Sequence, residues 1–209
     1  MARYGSTASP ARTRRRLVVG GGVAIALLLS GCAGDSLADQ YRAGSGKNFI
    51  AGDGSITEIT AAKRLAPVEF SGSLTSGDTT TSADYRGRVL VLNFWYAGCA
   101  PCRAEAPDLQ MLWTRYRDQG VSFVGVNIRD QVNTALGFEE TYGITYPSVI
   151  DASTGDLQLA FSGTVAPNAV PTTIVLDKKG RVSARILGRI PDAGVLNALI
   201  KTALAESNT

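Results

Sequence analysis

Between residues 89 and 96 the chain reads Val-Leu-Val-Leu-Asn-Phe-Trp-Tyr, a nearly unbroken apolar run of the length of a buried central strand. The period then changes. Cys102, Ala106, Leu109, Trp113 and Tyr116 follow at steps of four and three, the core-facing stripe of a helix, while Arg103, Asp108, Gln110, Arg117 and Asp118 take the opposite face. Pro107 lies inside this helix and predicts a kink, and Gly120 ends it. Residues 121–128 repeat the buried-strand pattern, and a helix over residues 132–142 with Gly143 as its stop completes a β-α-β-α series. The stretch from Asn133 to Pro167 is longer than a minimal connection requires; it holds a short strand at Ser148-Val149-Ile150 and a short helix over residues 157–161. Residues 172–177 and 182–187 form a hairpin through Lys178-Lys179-Gly180-Arg181, and Asp192 caps a last helix whose apolar face is Val195, Leu196, Leu199, Ile200 and Leu204.

Patterning is weaker upstream. An Asp53-Gly54 turn within residues 49–59 predicts a small hairpin, and a second strand pair is placed across residues 68–70 and 79–81. Parallel strands joined by a crossover helix, then a hairpin and a terminal helix, define an α/β class with a central mixed sheet covered on both faces. No internal repeat is visible, and the glycines Gly20, Gly21 and Gly22 fall outside any strand-to-helix turn that could cradle a phosphate.

The first 31 residues do not belong to that sheet. Arg12, Arg14, Arg15 and Arg16 precede a thirteen-residue apolar segment, residues 17–29, which is the layout of an export signal. Leu29-Ser30-Gly31-Cys32 resembles a bacterial lipobox, in which the cysteine is acylated and becomes the new N-terminus. An uncleaved signal anchor with an incidental Cys32 is the alternative, although thirteen apolar residues are short for a ~30 Å hydrocarbon core. Either arrangement tethers the chain to the outer face of a membrane. Thr13-Arg14-Arg15-Arg16-Leu17-Val18 also resembles a twin-arginine export signal. Residues 32–47, rich in Gly, Ser and Asp, read as a flexible tether, residues 48–65 as a hairpin or extension, and residues 66–205 as the folded domain.

The formal charge of +3 comes from the signal segment. Residues 1–31 carry five arginines and no acid; beyond them, 16 basic and 18 acidic side chains leave −2. Nucleic acid is therefore excluded as the partner that a basic patch would imply.

Cys99-Ala100-Pro101-Cys102 sits where the strand hands over to the helix, so the unpaired N–H groups and positive dipole end of the helix favour a thiolate. Cys99 is the expected nucleophile, with its thiol exposed. The chain has three cysteines and no histidine, so a structural zinc site lacks ligands. A peroxidatic pattern is not matched either, because Leu92 and Tyr96 occupy the positions that would need Pro and Thr. A short-loop structural disulfide stays open as the bland reading of such a pair in an exported protein. Nothing in the sequence requires a nucleotide or metal cofactor.

Trp95-Tyr96-Ala97-Gly98-Cys99-Ala100-Pro101-Cys102, with Val170-Pro171-Thr172-Thr173 about seventy residues later, resembles the thioredoxin superfamily, and more narrowly its TlpA/ResA-like membrane-anchored thiol-disulfide oxidoreductases. The resemblance covers residues 66–205 and includes the Tyr142-Gly143-Ile144-Thr145-Tyr146-Pro147 segment of an inserted helix and strand. It implies a thioredoxin-like fold with Cys99, Cys102 and Glu105 as catalytic residues. It also implies that Trp95, Ala100, Pro101, Val170 and Pro171 line the substrate surface, with Pro171 in the cis form. Residues alone would favour an ordinary trans proline at the start of an edge strand. Asn93 occupies the position of thioredoxin's buried acid, whereas Glu105, one turn beyond Cys102, matches the glutamate that this branch places near its thiols. Without the family, Glu105 reads as an exposed first-turn acid complementing the helix dipole. Gly98 departs from the Trp, Ser or Thr common before the first cysteine.

The implied activity is reduction of a protein disulfide, with Cys102 resolving the mixed disulfide on Cys99. By resemblance, the substrate is apocytochrome c and an integral membrane thiol donor recharges the pair, at the extracytoplasmic face of the membrane. An oxidase of exported proteins would use the same residues in reverse, and a lipoprotein binding module would retain only a structural disulfide.

Overall fold

The computed structural model describes residues 55–163 and 169–206. The expected export signal, Cys32, the expected tether and the Asp53-Gly54 turn lie outside the described residues.

Among the described residues, eight strands and four α-helices follow one another as β1 (Ile56–Glu58), β2 (Ser71–Ser73), β3 (Thr79–Thr81), β4 (Val89–Trp95), α1 (Ala100–Tyr116), β5 (Val121–Asn127), α2 (Val132–Tyr142), β6 (Ser148–Ile150), α3 (Asp156–Ala160), β7 (Thr172–Leu176), β8 (Val182–Leu187) and α4 (Ala193–Ala205). Six of the strands form one sheet in the order β1-β8-β7-β4-β5-β6. β4 and β5 are parallel, as are β5 and β6, whereas β7 and β8 run antiparallel to their neighbours. This is the mixed sheet of a thioredoxin-like fold.

Strand periodicity divides the core. Val89 and Val91 face Leu109 and Leu112 of α1 and Leu196 and Ile200 of α4, while Leu90, Leu92 and Phe94 face Phe70, Leu157 and Phe161 on the other side. Because β4 is central, all seven of its residues are buried, which is why its sequence is apolar throughout. α1 runs on through Pro107, which lies on the exposed side. α2 ends at Gly143, which adopts φ 64°, a left-handed conformation that glycine takes without a Cβ penalty.

The upstream elements differ from expectation. The described arm of the residue 49–59 hairpin, β1, pairs with β8, so the sheet extends upstream of residue 66. The second strand pair is present but lies at Ser71–Ser73 against Thr79–Thr81, not at residues 68–70. Gly72 explains the shift: a Cβ there would lie 2.4 Å from Val149, and only a glycine lets this strand pass so close to β6. Arg64 joins Asp177 at 2.9 Å and also pairs with Glu206, which ties the segment after β1 to the β7–β8 turn and to the end of α4.

Candidate active site

The C-terminal end of β4, the N-terminus of α1 and the residues preceding β7 converge on the two cysteines. Cys99 and Cys102 form a disulfide with an S–S distance of 2.05 Å. Cys99 is the N-cap of α1, and its Sγ accepts a hydrogen bond from the Cys102 N–H at 3.1 Å, one of the donors that a helix start leaves free. Pro101, in the first turn, has no N–H to leave unsatisfied. The Val170–Pro171 bond is cis, as the resemblance implied.

The loop before Cys99 is held from β5. Asn127, at the end of that strand, accepts from the Arg129 and Asp130 N–H groups and donates to Asp130, whose carboxylate takes the Ala97 N–H at 2.6 Å. The Arg129 guanidinium lies 4.4 Å from the centre of the Tyr96 ring. A Cβ on Gly98 would stand 3.3 Å from that ring, so the glycine leaves room for Tyr96.

Glu105 is not an exposed first-turn acid: its relative exposure is 0%. Oε1 accepts from Asn93 Nδ2 at 2.8 Å and Oε2 from the Ile190 N–H at 2.9 Å, while Asn93 also donates to Thr173 at 3.1 Å. Burial drives the carboxyl up to about 7, against the pull of those two donors and of Arg189. Asn93, Cys102, Tyr146 and Ser148 line a common cavity of about 10 Å³, room for about one water molecule. Burial, with the charges of Glu105 and Glu139, pushes the Tyr146 hydroxyl up, so it stays neutral.

Two expectations are corrected. Cys99 is 3% and Cys102 2% exposed in the disulfide, so the first sulfur is not an exposed thiol; Tyr96, Ala97 and Val170 pack over the same cluster. Trp95 is 4% exposed and stacks on Phe138 with ring centres 4.3 Å apart, so it supports the pair from within and offers no surface. Ala100 and Pro101 are exposed, Val170 half-buried and Pro171 buried. Sequence reasoning missed Asp130 and the Ile190 N–H. The Asn127-x-x-Asp130 turn after β5 was a readable signal for the first; the second is a backbone donor that no residue pattern marks.

A family model described as Redoxin matches residues 60–200. The chain belongs to the Redoxin family. It is a TlpA/ResA-like member of the thioredoxin superfamily. Among relatives, it is 38% identical over 106 residues to the thiol-disulfide oxidoreductase ResA of Geobacillus kaustophilus, an alignment spanning 51% of this chain and 58% of that protein. The alignment thus reaches less than two thirds of that relative's length. Among solved structures, a DsbF homologue from Corynebacterium diphtheriae matches with TM-score 0.65 at 33% identity, covering 75% of this chain and 98% of that one. A secreted thiol-disulfide isomerase from Corynebacterium glutamicum matches with TM-score 0.67 at 29% identity, covering 77% and 98%.

Proposed function

We propose that this protein is an extracytoplasmic thiol-disulfide oxidoreductase that reduces protein disulfides, with apocytochrome c as the substrate that the ResA likeness favours. The observation that carries the reading is the Cys99–Cys102 disulfide capping α1 while a buried carboxylate, Glu105, sits one turn further along the same helix. A purely structural disulfide has no use for an acid held at a pKa of about 7 beside it.

In the reduced protein, the Cys99 thiolate attacks one sulfur of the substrate disulfide; a Cys99–substrate bond forms and the other substrate sulfur leaves as a thiolate that takes up a proton. The Cys102 N–H that reaches Cys99 Sγ, together with the helix dipole, stabilises the attacking thiolate. Cys102 then gives up its proton and attacks Cys99 Sγ, which closes the protein disulfide and releases the second substrate thiol. Glu105 is the acceptor for that proton, since a carboxyl near 7 exchanges protons readily at neutral pH. Two electrons pass to the substrate, and an integral membrane thiol donor returns them. Ala100, Pro101 and the half-buried Val170 before Pro171 form the surface against which an extended substrate segment lies.

The address rests on the sequence: an export signal over residues 1–31 and acylation at Cys32, with residues 32–47 as the tether. The secreted relative supports it. Among the described residues no helix is long and apolar enough to cross a membrane.

Single cysteine variants test the reading. Cys99→Ser is expected to abolish turnover of a protein disulfide, and Cys102→Ser to accumulate mixed disulfides through Cys99. Full turnover by Cys99→Ser, or no trapped partner with Cys102→Ser, would refute exchange chemistry.

A further inference from the structure

Ten arginines fall among the described residues, and seven of them hold side-chain hydrogen bonds or ion pairs, as Arg64 does to Asp177 and Arg181 does to the same carboxylate. The other three, Arg103, Arg129 and Arg189, are exposed and make no such bond among the described residues. These three are not scattered over the surface.

Arg103 follows Cys102 directly, and its N–H donates to the Cys99 carbonyl at 3.1 Å. Arg129 lies over Tyr96, whose carbonyl accepts the Cys99 N–H at 3.1 Å. Arg189 stands between Gly188, whose N–H donates to the Pro171 carbonyl at 2.8 Å, and Ile190, whose N–H holds Glu105. The three residues thus come from three separate elements, α1, the loop after β5 and the loop after β8, and each adjoins or touches a residue that builds the site: Cys102, Tyr96 and Ile190. Of the nearby acids, Asp130 is engaged with the Ala97 N–H and Asn127, and Asp192 with the Gly194 N–H, while Asp108, half-buried on α1, makes no ion pair with any of the three among the described residues. Glu105 is buried beneath. Among the described residues the exposed guanidinium donors at this end of the sheet therefore pair with no carboxylate, in a chain that carries −2 beyond residue 31.

We propose that Arg103, Arg129 and Arg189 form a cationic collar that recognises acidic side chains flanking the cysteines of the substrate. The inference rests on the exchange reading above and adds to it the charge class of the protein segment that docks. Its physical content is steering and register: opposed charges raise the encounter rate and fix how an extended segment lies across Pro101 and Val170.

The test uses two peptides with the same intramolecular disulfide, one with Asp and Glu beside each cysteine and one with Ser and Gln there. The second-order rate constant for their reduction by the pre-reduced protein is measured at low and high salt. The same is done for the R103Q/R129Q/R189Q triple variant. Each exposed contact is worth about a twofold preference, so the acidic peptide is expected to react about tenfold faster at low salt. That preference should largely vanish near 1 M salt, where the Debye length falls to ~3 Å, and should be absent in the triple variant. Changing an arginine beside the thiols alters thiolate content equally for both peptides, so the rate ratio isolates recognition. Equal rates at low salt, or an acidic preference that survives in the triple variant, would overturn the collar alone. Failure to reduce either peptide would overturn the exchange reading and the collar with it.

Discussion

Replacing Glu105 by Gln isolates the energetics of the buried carboxylate. Its pKa rises from the ordinary 4.5 to about 7, chiefly through burial, so the folded state resists ionisation more than the unfolded chain does. The stability associated with the protonated acid is then complete below about pH 4.5 and is lost as pH rises to about 7. At ~1.36 kcal/mol per pH unit, the loss between pH 4.5 and 8 is about 3 kcal/mol. Gln cannot ionise. Its oxygen can keep the Ile190 N–H, and a turned Asn93 amide can accept from the new NH₂ while Thr173 donates to Asn93, so the groups that bond Glu105 stay paired. Denaturant unfolding of both proteins with the disulfide intact is the assay. Glu58 and Glu139 are also raised by burial, but they are common to both proteins and cancel in the difference, and the chain has no histidine to confuse this pH range. Relative to the parent, Glu105→Gln should gain about 3 kcal/mol between pH 4.5 and 8. Stability curves that stay parallel over that range would show that Glu105 ionises as easily in the folded protein as in the unfolded chain.

Other consequences follow from the packing. Asp177 accepts the Lys179 and Arg181 N–H groups and pairs with Arg64, whose side chain is only 2% exposed; Asp177→Ala leaves that guanidinium one carboxylate short and should cost about 3–5 kcal/mol in urea unfolding. Burial works against the charged form of Asp177, yet the Arg181 N–H and the Arg64 and Arg181 side chains hold its carboxyl below the usual range. Its contribution is therefore present above about pH 4 and lost as pH falls, and Asp177→Ala should flatten the acid limb of the stability curve. Gly125→Ala would place a Cβ 2.5 Å from Ser148 Oγ and 2.8 Å from Trp95 Nε1, and should destabilise by about 1–3 kcal/mol while shifting tryptophan emission. An unchanged urea midpoint and spectrum would show that the indole has room to move.

The elements that the sequence made legible are those whose signal is local. The apolar run of β4, the stripe on α1, the bounds of α2 at Val132 and Tyr142, and the β7–β8 hairpin all rest on period, caps and turns within a few residues. The partner of β1 was not readable, because Ile56 meets Ile186 across most of the chain, and neither strand carries a mark of the other. β2 was misplaced by three residues because Ser71-Gly72-Ser73 has no apolar alternation; its position follows from contact with Val149. At the site, the cysteine pair was plain in the sequence, and the likeness to a known family pointed to the cis proline and to Glu105. The burial of Glu105 depends on Asn93 twelve residues upstream and on a backbone N–H eighty-five residues downstream. Burial of Cys99 in the disulfide depends likewise on Val170, brought in by β7.

Whether this dithiol gives electrons to its substrate is decided by the equilibrium reduction potential of the Cys99/Cys102 couple, titrated against dithiothreitol or glutathione buffers. A carboxylate beside the thiols that disfavours the thiolate predicts a reducing couple, near or below thioredoxin's ~−270 mV. A potential near the ~−120 mV of DsbA would contradict the reductase account and assign the same residues to oxidation.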